Sequence, residues 1–353
     1  MTTAEIFETL RDSEISDIRS LLENKTILIT GGTGSFGKAF ATRILDLLSP
    51  KRLIIFSRDE MKQFDMQQEY PFRDNPRVRF FIGDVRDLSR LEIAFQDVDF
   101  VIHAAALKQV PTAEYNPFEC VRTNILGTEN VMTACLKNNV QKVIALSTDK
   151  ACVPVNLYGA TKLAADKLVV AANSLSGSRA TRFSVVRYGN VLGSRGSVVP
   201  FFCGLRDQNK ATLPITDARM TRFMISLPQA VDFVLSNLLM MRGGEIFVPK
   251  IKSFRIPDLA KAIAPNMEQE IVGIRPGEKM HEAMISLEDT RQTLDFGDRY
   301  VLEPISPYFE RRSFTEDGYE FVAEDFEYSS HRNPHFLSMA ELQNLLQKFG
   351  FTA

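Results

Sequence analysis

The chain lacks several features that would point to a metal site, an exported protein or a membrane protein. Its 353 residues include no tryptophan and only four histidines, and no histidine has carboxylates at the spacing of a metal site. We therefore predict no bound metal. No apolar run approaches the roughly 20 residues that a membrane helix needs. Residues 1–25 lack the basic start and the apolar stretch of a signal peptide.

Cysteine and net charge are also low. The four cysteines are far apart and include no Cys-x-x-Cys pair, so we expect reduced thiols and a cytoplasmic location. The formal net charge of -2 argues against a nucleic-acid surface, which normally requires a basic excess. Composition therefore leaves the classes of soluble enzyme and soluble binding protein open.

Apolar runs that predict buried strands alternate with helix-length segments from residue 26 onward. This alternation predicts an α/β fold of the Rossmann type, a doubly wound parallel sheet with helices on both faces. We assign 26–195 to this domain, with a segment near 227–248 that returns to the sheet. Residues 1–25 are expected to be a helical extension, and 196–353 mainly a smaller substrate-binding lobe and a tail. The predicted strands are 26–30, 52–56, 79–82, 100–103, 143–146 and 184–188.

Glycines at three-residue intervals join the first predicted strand to the first predicted helix. Gly31, Gly34 and Gly37 let the backbone turn tightly and let a pyrophosphate approach the helix N-terminus. Glycines also occur in purely structural turns, but the strand before and the helix after favour a dinucleotide site. The other loop residues assigned to this cofactor are Thr33, Ser35 and Phe36.

The next strands end in residues that would surround the adenosine of a dinucleotide. Ser57, Arg58 and Lys62 suit a 2′-phosphate, because hydroxyl and cationic groups bind phosphate oxygens. We therefore predict NADP rather than NAD, although Asp59 keeps a solvated charged loop open as the alternative. Further residues assigned to the cofactor are Asp84, Val85 and Ala104.

Three groups suited to acid–base chemistry follow the fifth predicted strand. Thr148, Asp149 and Lys150 lie where open α/β sheets bind their ligands. Tyr158 and Lys162 are four residues apart and would share one face of a helix. We expect this lysine to lower the pKa of the phenol. The alternative interpretation is that Asp149 and Lys150 form an exposed ion pair without a catalytic role.

These motifs resemble those of the extended short-chain dehydrogenases/reductases, which share the glycine loop and the Tyr-x-x-x-Lys pair. Ser-Thr-Asp-Lys at 147–150, Ala-Ala-Ala-Leu-Lys at 104–108, Tyr-Gly-Asn at 188–190 and Ile-Arg-Pro-Gly-Glu-Lys at 274–279 are similar to strings in nucleotide-sugar 4,6-dehydratases. The similarity extends over about 26–331 and is greatest to members that invert carbon 5 of UDP-N-acetylglucosamine. The resemblance implies UDP-N-acetylglucosamine as the substrate, NADP as the cofactor, and a homo-oligomer, often a hexamer. It also implies a role in pseudaminic acid synthesis for bacterial surface glycans, including glycosylated flagellin.

The same resemblance implies a role for each catalytic residue. Tyr158 would take the proton of the sugar 4-hydroxyl while NADP takes the hydride of carbon 4. Thr148 would form a hydrogen bond near oxygen 4 of the sugar, and Lys162 would hold the nicotinamide ribose. Lys150 would then remove the proton of carbon 5, Asp149 would protonate the departing 6-hydroxyl, and the hydride would return to carbon 6.

This mechanism makes demands on two pKa values and on the substrate site. Lys150 must be neutral to act as a base, and we expect burial and the charge of Lys162 to lower its pKa. The pKa of Asp149 must rise, and the two groups should titrate as a coupled pair. The residues assigned to the sugar nucleotide are Lys108, Asn190, Arg195, Val198, Thr216, Arg275 and Glu278.

Three alternatives remain open from the sequence. A nucleotide-sugar 4-epimerase would use the same cofactor and tyrosine, but such enzymes lack the Asp-Lys pair that Asp149 and Lys150 supply. A retaining dehydratase would keep that pair, but many of these relatives replace the tyrosine by methionine. A non-catalytic NADP-binding protein would tend to lose Tyr158 or Lys162, and both are present.

Overall fold

A nine-stranded sheet forms the centre of the computed structural model, which describes residues 7–305 and 308–352. Six parallel strands and a seventh from later in the chain make up most of it, and an antiparallel hairpin closes one edge. In spatial order, the strands are β14 (Thr293–Asp295), β15 (Arg299–Leu302), β10 (Ile246–Pro249), β6 (Arg182–Tyr188), β5 (Lys142–Thr148), β4 (Phe100–His103), β1 (Thr26–Thr30), β2 (Arg52–Ser57) and β3 (Val78–Ile82).

Helices cover both faces of this sheet, as the alternation in the sequence predicts. On one face α2 packs on α10, and α1 packs on α10 in turn; on the other face α7 lies between α4 and α8. A strand covered on both sides is mostly apolar, and all five residues of β1 are buried, including the threonines at its two ends. These helices are α1 (Asp12–Leu22), α2 (Ser35–Leu47), α3 (Glu60–Gln67), α4 (Leu88–Ala94), α5 (Val110–Tyr115), α6 (Pro117–Val121), α7 (Gly127–Lys137), α8 (Leu157–Ala172) and α10 (Leu227–Met240).

The remaining elements form a second unit, here called the small lobe. Its helices share an apolar cluster of their own, while Met284, Ile285 and Tyr328 of the lobe pack in the main core. Within the small lobe α11 packs on α9 and on α12, and three short sheets connect the helices. Its elements are β7 (Asn190–Val191), α9 (Val198–Asp207), β8 (Thr212–Ile215), β9 (Thr221–Ile225), β11 (Ser253–Arg255), α11 (Ile256–Ile263), β12 (Glu268–Ile271), β13 (Ala283–Ile285), β16 (Tyr328–Ser329) and α12 (Met339–Lys348).

The structure confirms the predicted fold class and each predicted strand of the parallel sheet. The predicted return of 227–248 to the sheet corresponds to α10 and β10, because β10 pairs in parallel with β6. The hairpin β14–β15 was not predicted: it lies within the range assigned mainly to the lobe, yet it extends the main sheet. The N-terminal extension is partly outside the described residues, and its described part contains α1. Across those described residues, no helix combines the length and apolar character that crossing a membrane requires.

Candidate active site

Close backbone contacts explain the glycines in the loop after β1. A Cβ on Gly31, where φ is +67°, would lie 2.9 Å from the backbone of Ala105. A Cβ on Gly37 would lie 2.5 Å from the Cα of Gly32. Only glycine therefore allows the loop to lie against the end of β4 and against the first turn of α2. The loop leads into the N-terminus of α2, where free N–H groups favour an anion.

The charged residues after β2 and β3 differ in how closely an opposite charge lies to each of them. Asp59 accepts the backbone N–H of Lys62 at 3.0 Å and pairs with its ammonium at 2.7 Å, so its carboxylate caps α3. Asp84 is held by the guanidinium of Arg86, with bonds of 3.0 and 2.7 Å. The guanidinium of Arg58 lies farther from Asp84, at 3.8 Å, and its side chain is 57% exposed. Arg58 is therefore available to an incoming anion.

The predicted acid and base lie in direct contact at the end of β5. The strand ends at Thr148, and a 3-10 turn follows over Asp149–Ala151. The Thr148 hydroxyl donates to Asp149 Oδ1 at 2.9 Å, and Lys150 Nζ donates to the same oxygen at 3.1 Å. The Asp149 side chain is 0% exposed, so the interpretation of this pair as an exposed ion pair is wrong.

The pKa values of this pair are both raised. Burial raises the pKa of Asp149, and the carboxylate of Glu282 adds to the shift while Lys150 opposes it. The prediction for Asp149 is thus confirmed. Burial would lower the pKa of Lys150, but the negative charges of Asp149 and Glu282 outweigh it and raise that pKa. The predicted fall for Lys150 is wrong, because the prediction considered burial and Lys162 but not the attraction of the two carboxylates, of which Asp149 has the larger effect.

Tyr158 lies in the first turn of α8 and is buried beside this pair. Burial raises the pKa of its phenol to about 12, and the charge of Lys150 and the Thr148 hydroxyl act in the opposite direction. Lys162 is also buried, and its Nζ donates to the carbonyl oxygen of Leu146 at 2.6 Å. The prediction of a lowered phenol pKa is wrong, since burial exceeds the effect of the nearby cations.

A buried ion pair supports the turn Asp149–Ala151 from the adjoining helix and strand. Asp166 of α8 accepts from the Ser147 hydroxyl at 2.8 Å and from Arg187 of β6 at 3.1 Å. Arg187 also donates to the carbonyl oxygen of Met284 in β13 at 2.8 Å. These bonds connect β5, α8 and β6 to the small lobe, and they hold the turn between the two units of the molecule.

One cavity of about 620 Å³ brings most of the predicted site residues together. Every residue assigned to the cofactor lines it, as do Thr148, Lys150, Lys108, Asn190 and Arg195. Asp149 lies buried behind Lys150. The other four substrate assignments lie in the small lobe and do not line this cavity: Val198, Thr216, Arg275 and Glu278. Val198 packs on the lobe's apolar cluster, and Arg275 is exposed.

Sequence reasoning missed two buried polar residues beside the cavity. Glu282 reaches Lys150 Nζ at 3.3 Å from the small lobe, and nothing in its local sequence distinguishes it from a solvated glutamate. Asn124 lies in a π-helical turn, Arg122–Leu126, and its side chain bonds both backbone groups of Leu107 at 2.8 and 2.9 Å. Asn124 thereby fixes the chain that carries Lys108.

Two other polar residues near the cavity have structural explanations. The ring nitrogens of His103 lie 2.7 Å from the hydroxyl of Thr30 and 3.1 Å from that of Thr128, so His103 is a satisfied wall residue. Burial raises the pKa of the Cys152 thiol to about 11, which disfavours a nucleophilic thiolate. Among the described residues, no group of three or more potential ligands is arranged to hold a metal ion.

Comparison with known proteins identifies the family. Residues 27–304 match the family described as polysaccharide biosynthesis protein. The chain belongs to this family of extended short-chain dehydrogenases/reductases. It is 55% identical over 332 residues to a UDP-N-acetylglucosamine 4,6-dehydratase (inverting) of Campylobacter jejuni subsp. jejuni serotype O:23/36 (strain 81-176), covering 92% of this chain and 98% of that protein. The motif-based resemblance is thus confirmed.

A protein with a different name and a protein of known structure are also similar to this chain. A UDP-glucose 4-epimerase of Rickettsia bellii (strain OSU 85-389) is 44% identical over 330 residues, covering 92% of this chain and 95% of that protein. The solved structure of Pen from Bacillus thuringiensis is 36% identical with a TM-score of 0.83, covering 94% of this chain and 99% of that one. Similarity to the family therefore extends over the Rossmann domain and the small lobe together.

Proposed function

We propose that this protein is an NADP-dependent UDP-N-acetylglucosamine 4,6-dehydratase that inverts carbon 5. The product would be UDP-2-acetamido-2,6-dideoxy-β-L-arabino-hexos-4-ulose. The observation that carries this proposal is the contact of Lys150 with the buried Asp149, at 3.1 Å, beside the phenol of Tyr158. Elimination of water needs one group to take a proton from carbon 5 and another to give a proton to oxygen 6. The Campylobacter relative, at 55% identity, supports the choice of sugar nucleotide.

The cavity has the features that a nicotinamide dinucleotide requires. The close glycine contacts leave space for a pyrophosphate beside α2, since side chains at Gly31 and Gly37 would collide with backbone. When bound, the nicotinamide would supply the hydride acceptor for carbon 4 and the hydride donor for carbon 6. NADP is favoured over NAD because Arg58 is exposed at the end of β2 while Lys62 neutralises Asp59. One solved structure with about 20% identity to this chain has NAD bound. Binding experiments should therefore compare the affinity for NADP with the affinity for NAD.

Each catalytic side chain has a separate task in this proposal. Tyr158 accepts the proton of the 4-hydroxyl as its phenolate, so its own proton, which burial holds with a pKa of about 12, must leave to solvent first. The Thr148 hydroxyl orients the oxygen of the 4-hydroxyl. Lys150 accepts the proton of carbon 5, which the new 4-ketone has acidified. Asp149, whose pKa is raised by burial, gives its proton to the departing 6-hydroxyl. Lys150 faces the cavity whereas Asp149 lies deeper, so substrate and the amine can meet directly.

The raised pKa of Lys150 restricts how this base can act. Its amine is cationic in the ion pair with Asp149, and a cation cannot accept a proton. A proton must therefore leave Lys150 before carbon 5 is deprotonated. The 3.1 Å bond to Asp149 Oδ1 is the available route, and its use yields a neutral amine and a protonated carboxyl together.

Mass spectrometry of the nucleotide sugar tests the activity. Purified protein with NADP should convert UDP-N-acetylglucosamine into a product lighter by one water. Lys150→Ala should abolish that conversion and leave cofactor binding intact. Lys167→Ala is the matched control, because Lys167 is an exposed lysine on α8. Full turnover by Lys150→Ala would exclude this lysine as the base.

A 4-epimerase is the second candidate, because the Rickettsia relative of that name aligns with 92% of this chain. An epimerase would return a nucleotide sugar of unchanged mass with carbon 4 inverted. It would need Tyr158 but neither Asp149 nor Lys150 as proton carriers. An active Asp149→Asn variant that forms the 4-epimer would therefore support the epimerase.

The proposed product also suggests the protein's setting. A 4-keto-6-deoxy amino sugar nucleotide is suited to aminotransfer at carbon 4, as pseudaminic acid synthesis for surface glycans requires. The family description, polysaccharide biosynthesis protein, supports this direction. We further propose a cytoplasmic homo-oligomer, in line with the motif-based resemblance. Size-exclusion chromatography with light scattering would test the oligomer.

A further inference from the structure

A second carboxylate, from the small lobe, contacts the proposed base in addition to Asp149. Glu282 Oε1 lies 3.3 Å from Lys150 Nζ, and the Glu282 side chain is only 3% exposed. Its position directly precedes β13, and β13 packs against the turn that carries Asp149 and Lys150. Lys150 therefore lies between two buried carboxylates that come from different units of the molecule.

Glu282 is held in place by its backbone and by two further cations. Its backbone N–H donates to the Ser330 hydroxyl at 3.0 Å, and its carbonyl oxygen accepts from the Ser330 N–H at 2.7 Å. Arg222 of β9 lies 3.8 Å from Glu282 Oε1, and Lys279 lies 3.5 Å from Oε2. A side chain fixed in this way can hold the Lys150 amine in one position.

We propose that Glu282 is a positioning residue of the dehydratase site, which fixes the Lys150 amine beside Asp149 and retains one shared proton between them. This inference rests on the function proposed above. The reactive form of the pair holds one exchangeable proton, either on Nζ of Lys150 or on Oδ1 of Asp149. Transfer along their hydrogen bond converts the ion pair into a neutral amine and a carboxylic acid. No other reactant is needed, and the charge of the cluster is unchanged.

The negative charge of Glu282 acts on both members of the pair in the same direction. It raises the pKa of Asp149 and the pKa of Lys150. At a pH below the lower pKa of the coupled pair, a second proton binds and Lys150 cannot act as the base. At a pH above the higher pKa, the shared proton is lost and Asp149 has none to give. Loss of the Glu282 charge should therefore move both limits of the active pH range downward.

Other titratable groups also lie around Asp149, Lys150 and Glu282. Arg222 and Lys279 face Glu282 from the small lobe, and Tyr158 faces the pair from α8. Cys152 follows the turn directly, and burial raises the pKa of its thiol to about 11. His281 bonds the hydroxyl of Thr221 at 2.8 Å and stacks on His331. Since these groups remain in a Glu282 variant, the change in pH range reports on Glu282.

The test is the pH dependence of kcat/KM for dehydration of UDP-N-acetylglucosamine. Glu282→Gln should shift both limbs of the bell-shaped profile to lower pH by roughly 1 unit or more, as expected for loss of a charge within about 4 Å. Glu282→Asp keeps the charge, so it should lower kcat but retain the wild-type pH range. The matched control is Glu303→Gln, which removes a buried carboxylate paired with Arg311 at 2.9 Å, away from the cavity. That control should leave the profile in place.

An unshifted profile in folded Glu282→Gln would overturn the inference. Folding is checked by cofactor binding and a cooperative thermal transition. If Glu282→Gln fails to fold, Lys279→Met decides the question. Removing this cation strengthens the net effect of Glu282, so the profile should move to higher pH, and no movement would overturn the inference. Absence of dehydration by the wild-type protein would instead refute the proposed function.

Discussion

The substitution Gly37→Ala tests the backbone contact on which the cofactor cavity depends. A Cβ at this position would lie 2.5 Å from both the Cα and the carbonyl oxygen of Gly32, whereas ordinary contact begins at 3.4 Å. Both contacts are backbone atoms, so no flexible side chain can move aside. The loop and the first turn of α2 must therefore separate by nearly 1 Å.

This separation has a cost in stability and in binding. Overpacking of this kind destabilises proteins by about 1–3 kcal/mol, and we expect the upper part of that range because backbone must move. A misplacement of about 1 Å in an active site can lower the reaction rate on the order of 100-fold. We therefore expect Gly37→Ala to weaken cofactor binding and, with saturating cofactor, to lower turnover by roughly that factor.

Gly204→Ala is the matched control for this prediction. Gly204 lies inside α9, and a Cβ there would meet no atom within 4 Å. Alanine is favoured over glycine in a helix by about 0.5–1 kcal/mol, so this variant should be slightly stabilised and bind the cofactor normally. Urea unfolding and calorimetric titration with NADP measure the two quantities. Wild-type stability and wild-type affinity in Gly37→Ala would refute the reasoning.

Three further predictions follow from the site and its surroundings. Arg58→Asp should raise the dissociation constant of NADP at least about tenfold more than that of NAD; equal effects in titrations with both cofactors would contradict the assignment. Tyr158→Phe should reduce kcat by about 100-fold or more while NADP still binds, and steady-state kinetics with a binding titration would detect retained turnover. Burial lowers the pKa of His103 to about 3, so the unfolded chain binds a proton that the native chain excludes. From about pH 6.5 down to about 3 the free energy of unfolding should fall by on the order of 1.4 kcal/mol per pH unit from this residue. His103→Gln should remove that part of the slope in urea unfolding, and an unchanged slope would contradict it.

The parallel sheet could be predicted from sequence because its signals are local. Strands such as β1 and β4 each contain three consecutive apolar residues, and turns and helix-length segments separate them. The glycine loop and the turn at Asp149 could also be located, since each directly follows such a strand. The hairpin β14–β15 could not be predicted, because strands of only three or four residues give no indication of the sheet they will join.

The electrostatics of the site depend on contacts that the sequence does not reveal. Asp149 and Lys150 are adjacent in the chain, and their pairing was expected. Glu282 belongs to the small lobe, and only folding places it 3.3 Å from Lys150. Together with the charge of Asp149, this contact raises the pKa of Lys150, against the predicted direction. Burial likewise determines the pKa of Tyr158, and burial cannot be derived from the spacing of Tyr158 and Lys162.

Proton NMR of the reaction in deuterated water tests the central claim most directly. The protein and NADP are incubated with UDP-N-acetylglucosamine, and the product is followed without isolation. Our account predicts a 4-keto-6-deoxy sugar with deuterium at carbon 5 and the couplings of the L-arabino configuration. The D-xylo configuration would retain the dehydration but contradict inversion. Unchanged substrate, or its 4-epimer alone, would contradict the roles proposed for Asp149 and Lys150.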